Sequence, residues 1–423
     1  MNAGRILKQI ELSPDKKETE KLNEETKKIV ERLKKSISKR KADAEVFVGG
    51  SFAKGTIVKS KDYDIDIFFR FDKNYENLAE KLEGLLKEAG KEMGCKLKRL
   101  HGSRDYFQIS KGNITFEIIP VARIKNVKEA RNVTDLSYFH VNYVKRKIDP
   151  KLANEIRLAK QFCKANGVYG AESYINGFSG YALECLIIYY GGFEKMLKEL
   201  VKIEDRVIID SARQYKNKDN ILIEMNESKL RAPIILVDPT WRERNVLAAL
   251  SRETFKKFQE RARGFLKRPS EKCFIIKEFD ENEVKEKAKK MKSEVFCVEI
   301  KTNKQEGDIA GTKMKKFAKF FESKAREFYE IKGEEFVYKL GKNAWLYLIA
   351  RPKEEIIRIG PPVDMENAVK SFKRVNKNAF MKNGFIHARI KAPRSFREYF
   401  DSFKKDYSKT IKDMDVSDLR LVR

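Results

Sequence analysis

The chain has 423 residues, more than one ordinary hydrophobic core holds, so two to four domains are expected. Lys and Arg number 91 against 63 Asp and Glu, a formal charge of +28. That surplus points to a polyanionic partner, nucleic acid foremost, or else to a Lys-rich proteome such as a thermophile's. No apolar run reaches the ~18–20 residues of a membrane span, and the charged first dozen residues contain no signal-peptide core. Five scattered cysteines (Cys95, Cys163, Cys185, Cys273, Cys297) fit neither a zinc site nor a disulfide framework. A soluble, cytoplasmic protein is expected.

In chain order, residues 13–40 read as an amphipathic helix with Ser13-Pro14-Asp15 as cap and first turn. Strands near 45–49 and 65–71 bracket a Gly49-Gly50-Ser51 turn. Asn77–Glu92 reads as a helix, and 96–100, 105–110 and 114–119 read as strands, the last ended by Pro120. From Pro150 the pattern turns mainly helical, through Leu152–Ala165, Gly180–Tyr190 and Val246–Leu266. Beyond Pro269, Phe274–Phe279, Glu283–Lys292, Val295–Ile300, Met314–Ile331 and Phe336–Ala350 alternate strand and helix. Gly360-Pro361-Pro362 opens a last Lys/Arg-rich module. Within it Phe396, Phe400 and Phe403 fall on one helix face, a core pattern that leaves the interleaved lysines outward.

The chemistry concentrates between residues 49 and 117. Asp64 and Asp66 stand two apart on a strand, so they project from one face, where two acids repel unless a cation intervenes. Hard divalent cations such as Mg2+ take oxygen ligands. Glu117, alone in the apolar run Ile114–Pro120, is the third acid such a site asks for. Two metals about 3.5–4 Å apart need several bridging oxygens. The backbone of Gly50 and Ser51 and the Ser51 hydroxyl suit phosphate oxygens. Asp-X-Asp alone is common in surface turns, and Asp62 reads as a solvated loop residue. Turn, paired aspartates and a third acid in this order describe nucleotidyl transfer.

The first block resembles the nucleotidyltransferase superfamily signature, shared with poly(A) polymerases and oligoadenylate synthetases. The blocks Ala165-Asn166-Gly167-Val168-Tyr169-Gly170-Ala171-Glu172, Gly177-Phe178-Ser179-Gly180-Tyr181, Asp238-Pro239 and Arg244-Asn245-Val246 resemble the archaeal, class I CCA-adding enzymes. The resemblance is clear over roughly residues 45–255. It implies an α+β multidomain fold: a mixed-sheet palm at 1–137, a helical neck at 138–260, an α/β body at 261–359 and a basic tail at 360–423. It also implies addition of C, C and A to tRNA from CTP and ATP on two Mg2+ ions held by Asp64, Asp66 and Glu117. Nucleotide contacts are implied for Gly50, Ser51, Lys54, His140, Lys160, Tyr169 and Arg244.

Alternatives stay open beside these. His140 alone could be structural, and Tyr169 and Tyr174 could be core aromatics as readily as base contacts. Arg242 reads as a surface charge. The chain departs from the family in carrying Glu117 where aspartate is usual, Lys54 where arginine is usual, and an extra residue in the 59–63 loop. A different tailing polymerase, of poly(A) or poly(U) type, and a catalytically idle RNA-binding homologue are the competing functions. A homodimer is left open, and no membrane partner is expected.

Overall fold

The computed structural model describes residues 3–93, 96–102, 104–354, 356–389, 393 and 395–422. Cys95 lies outside them; the other four cysteines are free thiols. The chain divides into two compact units, Met1–Lys277 and Glu278–Arg423.

In the first unit Asp15 accepts the Glu18 N–H while the Glu18 side chain reaches back, a capping box that starts the Lys16–Lys39 helix. Leu22, Ile29 and Leu33 recur at helical spacing and are buried in the core that the sheet strands Ile65, Ile67 and Phe69 enter. That sheet has five strands: β1 (Ala44–Val48), β2 (Tyr63–Asp72), β3 (Leu97–Leu100), β4 (Tyr106–Lys111) and β5 (Ile114–Arg123), in order β1-β2-β5-β4-β3. Only β2 and β5 are parallel to each other; the other pairings are antiparallel. β5 does not end at Pro120 as expected. Its pairing with β4 stops at Ile118 while its pairing with β2 runs on to Arg123, so on the β4 side no ladder bond is asked of the proline.

The following segment is less purely helical than its pattern suggested. Helices Ser137–Lys147, Pro150–Ala165, Gly180–Tyr190 and Phe193–Leu200 lead to a small sheet of β6 (Val207–Ile209), β7 (Ile234–Asp238) and β8 (Trp241–Asn245). The helix expected from Val246 starts at Arg252, where the Ser251 side chain caps it. It also runs through the boundary expected at 260, because Phe255, Phe258, Ala262 and Phe265 are buried with Phe162, Phe178 and Phe193. Phe274 joins that core from a short 3-10 turn, so the strand expected at Phe274–Phe279 is absent.

The second unit carries β9 (Glu294–Lys301), β10 (Tyr329–Tyr338), β11 (Asn343–Pro352), β12 (Ile357–Pro362), β13 (Ala379–Lys382), β14 (Phe385–Arg389) and β15 (Asp418–Leu421). They form the sheets β10-β11-β9-β15 and β12-β14-β13. The one strand expected over Phe336–Ala350 is a hairpin that turns through Leu340, at φ 57°. The helix expected to reach Ile331 stops at Ala325, and Tyr329 already opens β10. The expected tail has two parts, the separate sheet β12-β14-β13 and a final segment that packs on the preceding core. Phe396, Phe400 and Phe403 are buried with Phe296 and Phe321, and β15 pairs with β9, so its apolar face completes the preceding core. Among the described residues no helix is long and apolar enough to cross a membrane.

Candidate active site

The β1–β2 connection is built around Asp66. Gly49 N–H donates to the Asp66 carbonyl at 2.8 Å, and the chain then makes one helical turn, Gly50–Ala53. Gly50 has φ +60°, and a Cβ there would lie 1.7 Å from Asp66 Oδ2. Only glycine lets this backbone approach the carboxylate so closely. β2 and β5 run in register, with Asp66 beside Glu117 and Asp64 beside Thr115. The period of two puts all three acids on one face of the sheet; Asp62 is exposed outside it.

The electrostatics are those of acids short of positive charge. Burial, then Asp66 and Asp64, push Glu117 up to about 7, although its carboxylate accepts from Gln108 Nε2. Burial, with Asp64 adding to it and Lys54 and Lys160 opposing, pushes Asp66 up to about 6. Asp64 is raised by desolvation first, with Lys164 pulling it back. Among the described residues no three acids already converge tightly enough to enclose an ion. The set still fits a divalent cation: every donor is a hard oxygen, the glycine turn keeps Asp66 uncovered, and added positive charge is what the raised acids lack.

Beside this face a second acid is saturated with cations. Glu184 is the only charged residue in the apolar helix Gly180–Tyr190 and is fully buried. Its Oε2 accepts from Lys54 Nζ at 2.5 Å, and its Oε1 accepts from Lys160 Nζ and Thr56 Oγ1, each at 2.7 Å. Burial raises its carboxyl, but Lys160 and Lys54 outweigh that and hold it at about 2. Burial pushes Lys160 down to about 8, with Glu184 opposing the fall and the Lys54 ammonium adding to it.

A third cluster gathers on Asp238, buried at the end of β7. His140 Nε2 lies 3.1 Å from its Oδ2, and Arg244 Nη1 donates to the same oxygen at 2.6 Å. Tyr181 OH donates to Oδ1 at 3.0 Å, and the Thr240 N–H and hydroxyl donate there too. Burial opposes ionisation, but these partners hold Asp238 far below the usual carboxylate range. Burial lowers His140 more than Asp238 raises it. The imidazole stacks on Tyr181 at 4.0 Å. Tyr181 links the clusters, since Lys54 Nζ lies 5.7 Å from its ring centre.

The expected residues Asp64, Asp66, Glu117, Gly50, Lys54, Lys160, His140 and Arg244 therefore fall in three connected clusters. Ser51 stands in the turn at Gly50. Tyr169 is half-buried, its phenol raised by burial and its ring 5.1 Å from the Lys164 ammonium. Arg242 pairs with Glu224 at the surface, as a surface charge should. Glu184 and the convergence on Asp238 were not foreseen. Glu184 carried a signal, being a lone acid in an apolar helix just as Glu117 is in an apolar strand.

Two family models match the first unit. One, described as Second Messenger Oligonucleotide or Dinucleotide Synthetase domain, matches residues 5–137; the other, tRNA nucleotidyltransferase, second domain, matches residues 154–275. The CCA-adding enzyme of Nanoarchaeum equitans is 43% identical over 213 residues, 50% of this chain and 52% of that protein. That of Sulfurisphaera tokodaii is 33% identical over 272 residues, 64% of this chain and 60% of that protein. The match to the Thermoplasma volcanium CCA-adding enzyme is longer, 370 residues at 27% identity, covering 85% of this chain and 78% of that protein. The chain thus spans about half to three fifths of the first two relatives. A cytoplasmic RNA terminal U-transferase has a similar fold, with a TM-score of 0.50 at 14% identity over 66% of this chain and 98% of that one.

Proposed function

We propose, for a chain that is a relative of the archaeal CCA-adding enzymes, that it adds C, C and A without a template to the 3′ end of tRNA, using CTP and ATP. The observation that carries this reading is Asp64, Asp66 and Glu117 on one face of β2 and β5, with the glycine turn laid against Asp66. The RNA 3′-hydroxyl attacks the α-phosphorus; the new P–O bond forms as the bond to the leaving pyrophosphate breaks. Asp64, Asp66 and Glu117 would hold two Mg2+ ions, which when bound supply hydroxyl activation and neutralise the triphosphate.

The protein's own groups position the rest. The Gly50–Ser51 backbone and the Ser51 hydroxyl face the β- and γ-phosphates. Each lysine ammonium has three N–H donors. Glu184 takes one from Lys54, which retains donors for phosphate oxygens. Glu184 and the Thr56 hydroxyl and carbonyl take all three from Lys160, which acts on phosphate through its charge and by holding Glu184. Asp238 fixes Arg244 and His140, and with Tyr169 these set where the base lies. RNA held through its backbone is read by shape, which suits an enzyme that serves every tRNA.

The test is incorporation into a tRNA transcript lacking its 3′-CCA, resolved at single-nucleotide length. Two additions with CTP alone, and a third only when ATP is also present, are expected. A long homopolymer would reassign the chain to the tailing polymerases, and no extension to the idle RNA-binding class.

A further inference from the structure

We propose that a basic cavity in the first unit, away from the three acid clusters, is a docking site for the phosphodiester backbone of the RNA substrate. It has a volume of about 770 Å³ and lies where the C-terminal end of the Ser137–Lys147 helix, the N-terminal end of the Pro150–Ala165 helix and the Gly191–Gly192 turn meet. Arg146, Lys147, Lys151, Lys195 and Lys198 line it.

An accounting of charge decides what the cavity presents. Its three acids are all engaged within the protein. Asp149 Oδ1 accepts from Leu152 N–H at 2.7 Å, Glu155 Oε2 accepts from Phe193 N–H at 2.7 Å, and Glu194 pairs with Lys198 at 2.7 Å. Lys147, Lys151 and Lys195 are exposed and, among the described residues, have no acidic partner. Arg146 uses only its Nε, on the Asn142 carbonyl. Asp149 and Glu155 keep their charge, so five cations against three acids leave the lining basic by two charges, with exposed lysines on three separate segments. Gly191 at φ +72° and Gly192 at φ +149° line the cavity as well, with Ile148 and Leu152.

Free phosphate or a nucleotide fits this arrangement poorly. A small anion is held by convergent, partly buried donors, whereas these ammonium groups are exposed and spread around an open rim. Lysine is a hydrated point charge that reads position rather than pattern, the contact a sugar–phosphate backbone takes. Two helices connect the cavity to the reacting centre. One carries His140 and Lys147, the other Lys160 and Lys151, so on each helix the two places are roughly 10–14 Å apart along the axis. RNA whose 3′ end meets the carboxylates can reach the cavity. The proposal rests on RNA being the substrate class, but the salt dependence of RNA binding, its deciding readout, does not depend on CCA addition.

The experiment measures tRNA affinity against salt for the full chain and for Lys147→Gln/Lys151→Gln/Lys195→Gln. A control, Lys27→Gln/Lys34→Gln/Lys35→Gln, removes the same charge from exposed positions on the Lys16–Lys39 helix. Losing three phosphate contacts should flatten the slope of log K against log salt by about 2–3 and weaken binding about tenfold at 0.1 M salt. The control should change little, and KM for CTP and kcat at saturating RNA should hold in both. An unchanged slope, or an equal fall in the control, overturns the proposal. So does a rise in KM for CTP with RNA affinity intact, or displacement of RNA by inorganic phosphate beyond the effect of chloride at equal ionic strength; either would assign the cavity to a small phosphate ligand.

Discussion

Asp66 and Glu117 are acids of the same kind as Glu184 and Asp238, within one connected set of clusters, yet in opposite electrostatic states. Burial acts on all four in the same direction. The difference is partners. Glu184 takes two ammonium groups and a hydroxyl, and Asp238 takes an arginine, an imidazole, a phenol and a threonine. Glu117 faces Asp66 and Asp64, and the lysines that oppose the rise of Asp66 are bonded to Glu184 instead, so both stay raised. Acids that the fold satisfies hold other side chains in place, and acids left unsatisfied are kept for something that arrives with charge.

The comparison can be broken most sharply at Asp66. Asp66→Asn should cut nucleotide incorporation about a thousandfold or more, while tRNA affinity stays within about twofold. A parallel loss of RNA binding would merge the two roles. Glu184→Gln should act on stability first, since it leaves Lys54 and Lys160 buried without a counter-charge, at a cost of about 3–5 kcal/mol. Adding Lys160→Met to Glu184→Gln should restore part of that loss in thermal unfolding; no recovery would show that Glu184 is not there to hold cations.

Smaller effects follow from pH. Asp66 and Glu117 have folded-state values above their unfolded ones, so the stability they contribute is full below about pH 4 and is lost as pH rises through about 6 to 7. Glu184 has the opposite sign: its contribution is present above about pH 4.5 and is lost as pH falls toward about 2. In chelator-treated protein, unfolding free energy should thus fall by roughly 2–4 kcal/mol between pH 5 and 7.5 from the first pair. The fall should be missing in Asp66→Asn/Glu117→Gln; an equal fall there would trace it to other groups. The smallest contrast is between neighbouring arginines. Arg242→Ala, in a surface pair, should leave thermal unfolding and KM for CTP and ATP unchanged. Arg244→Ala should raise both KM values severalfold.

What was legible in the sequence was whatever depends on local period. Asp64 and Asp66 share a face because strands repeat every two residues, and Phe396, Phe400 and Phe403 share one because helices repeat every 3.6. Gly50 was legible as a turn but not as the residue that admits Asp66. Distant pairing was not legible. Lys54 and Lys160 read as nucleotide contacts and not as partners of Glu184, because that carboxylate is 130 and 24 residues away. β6–β8 were missed because strands of three to five residues between helices leave too little pattern. The tail read as one module because its composition changes, although its apolar residues from Phe396 onward belong to the preceding core.

Titration with Mn2+, followed by calorimetry, tests the division between satisfied and unsatisfied acids most directly. Binding at neutral pH is expected in the unaltered chain and in Glu184→Gln/Lys160→Met, and is expected to be lost in Asp66→Asn and weakened in Glu117→Gln. Binding that survives Asp66→Asn unchanged, or that disappears equally when Glu184 is replaced, would contradict it.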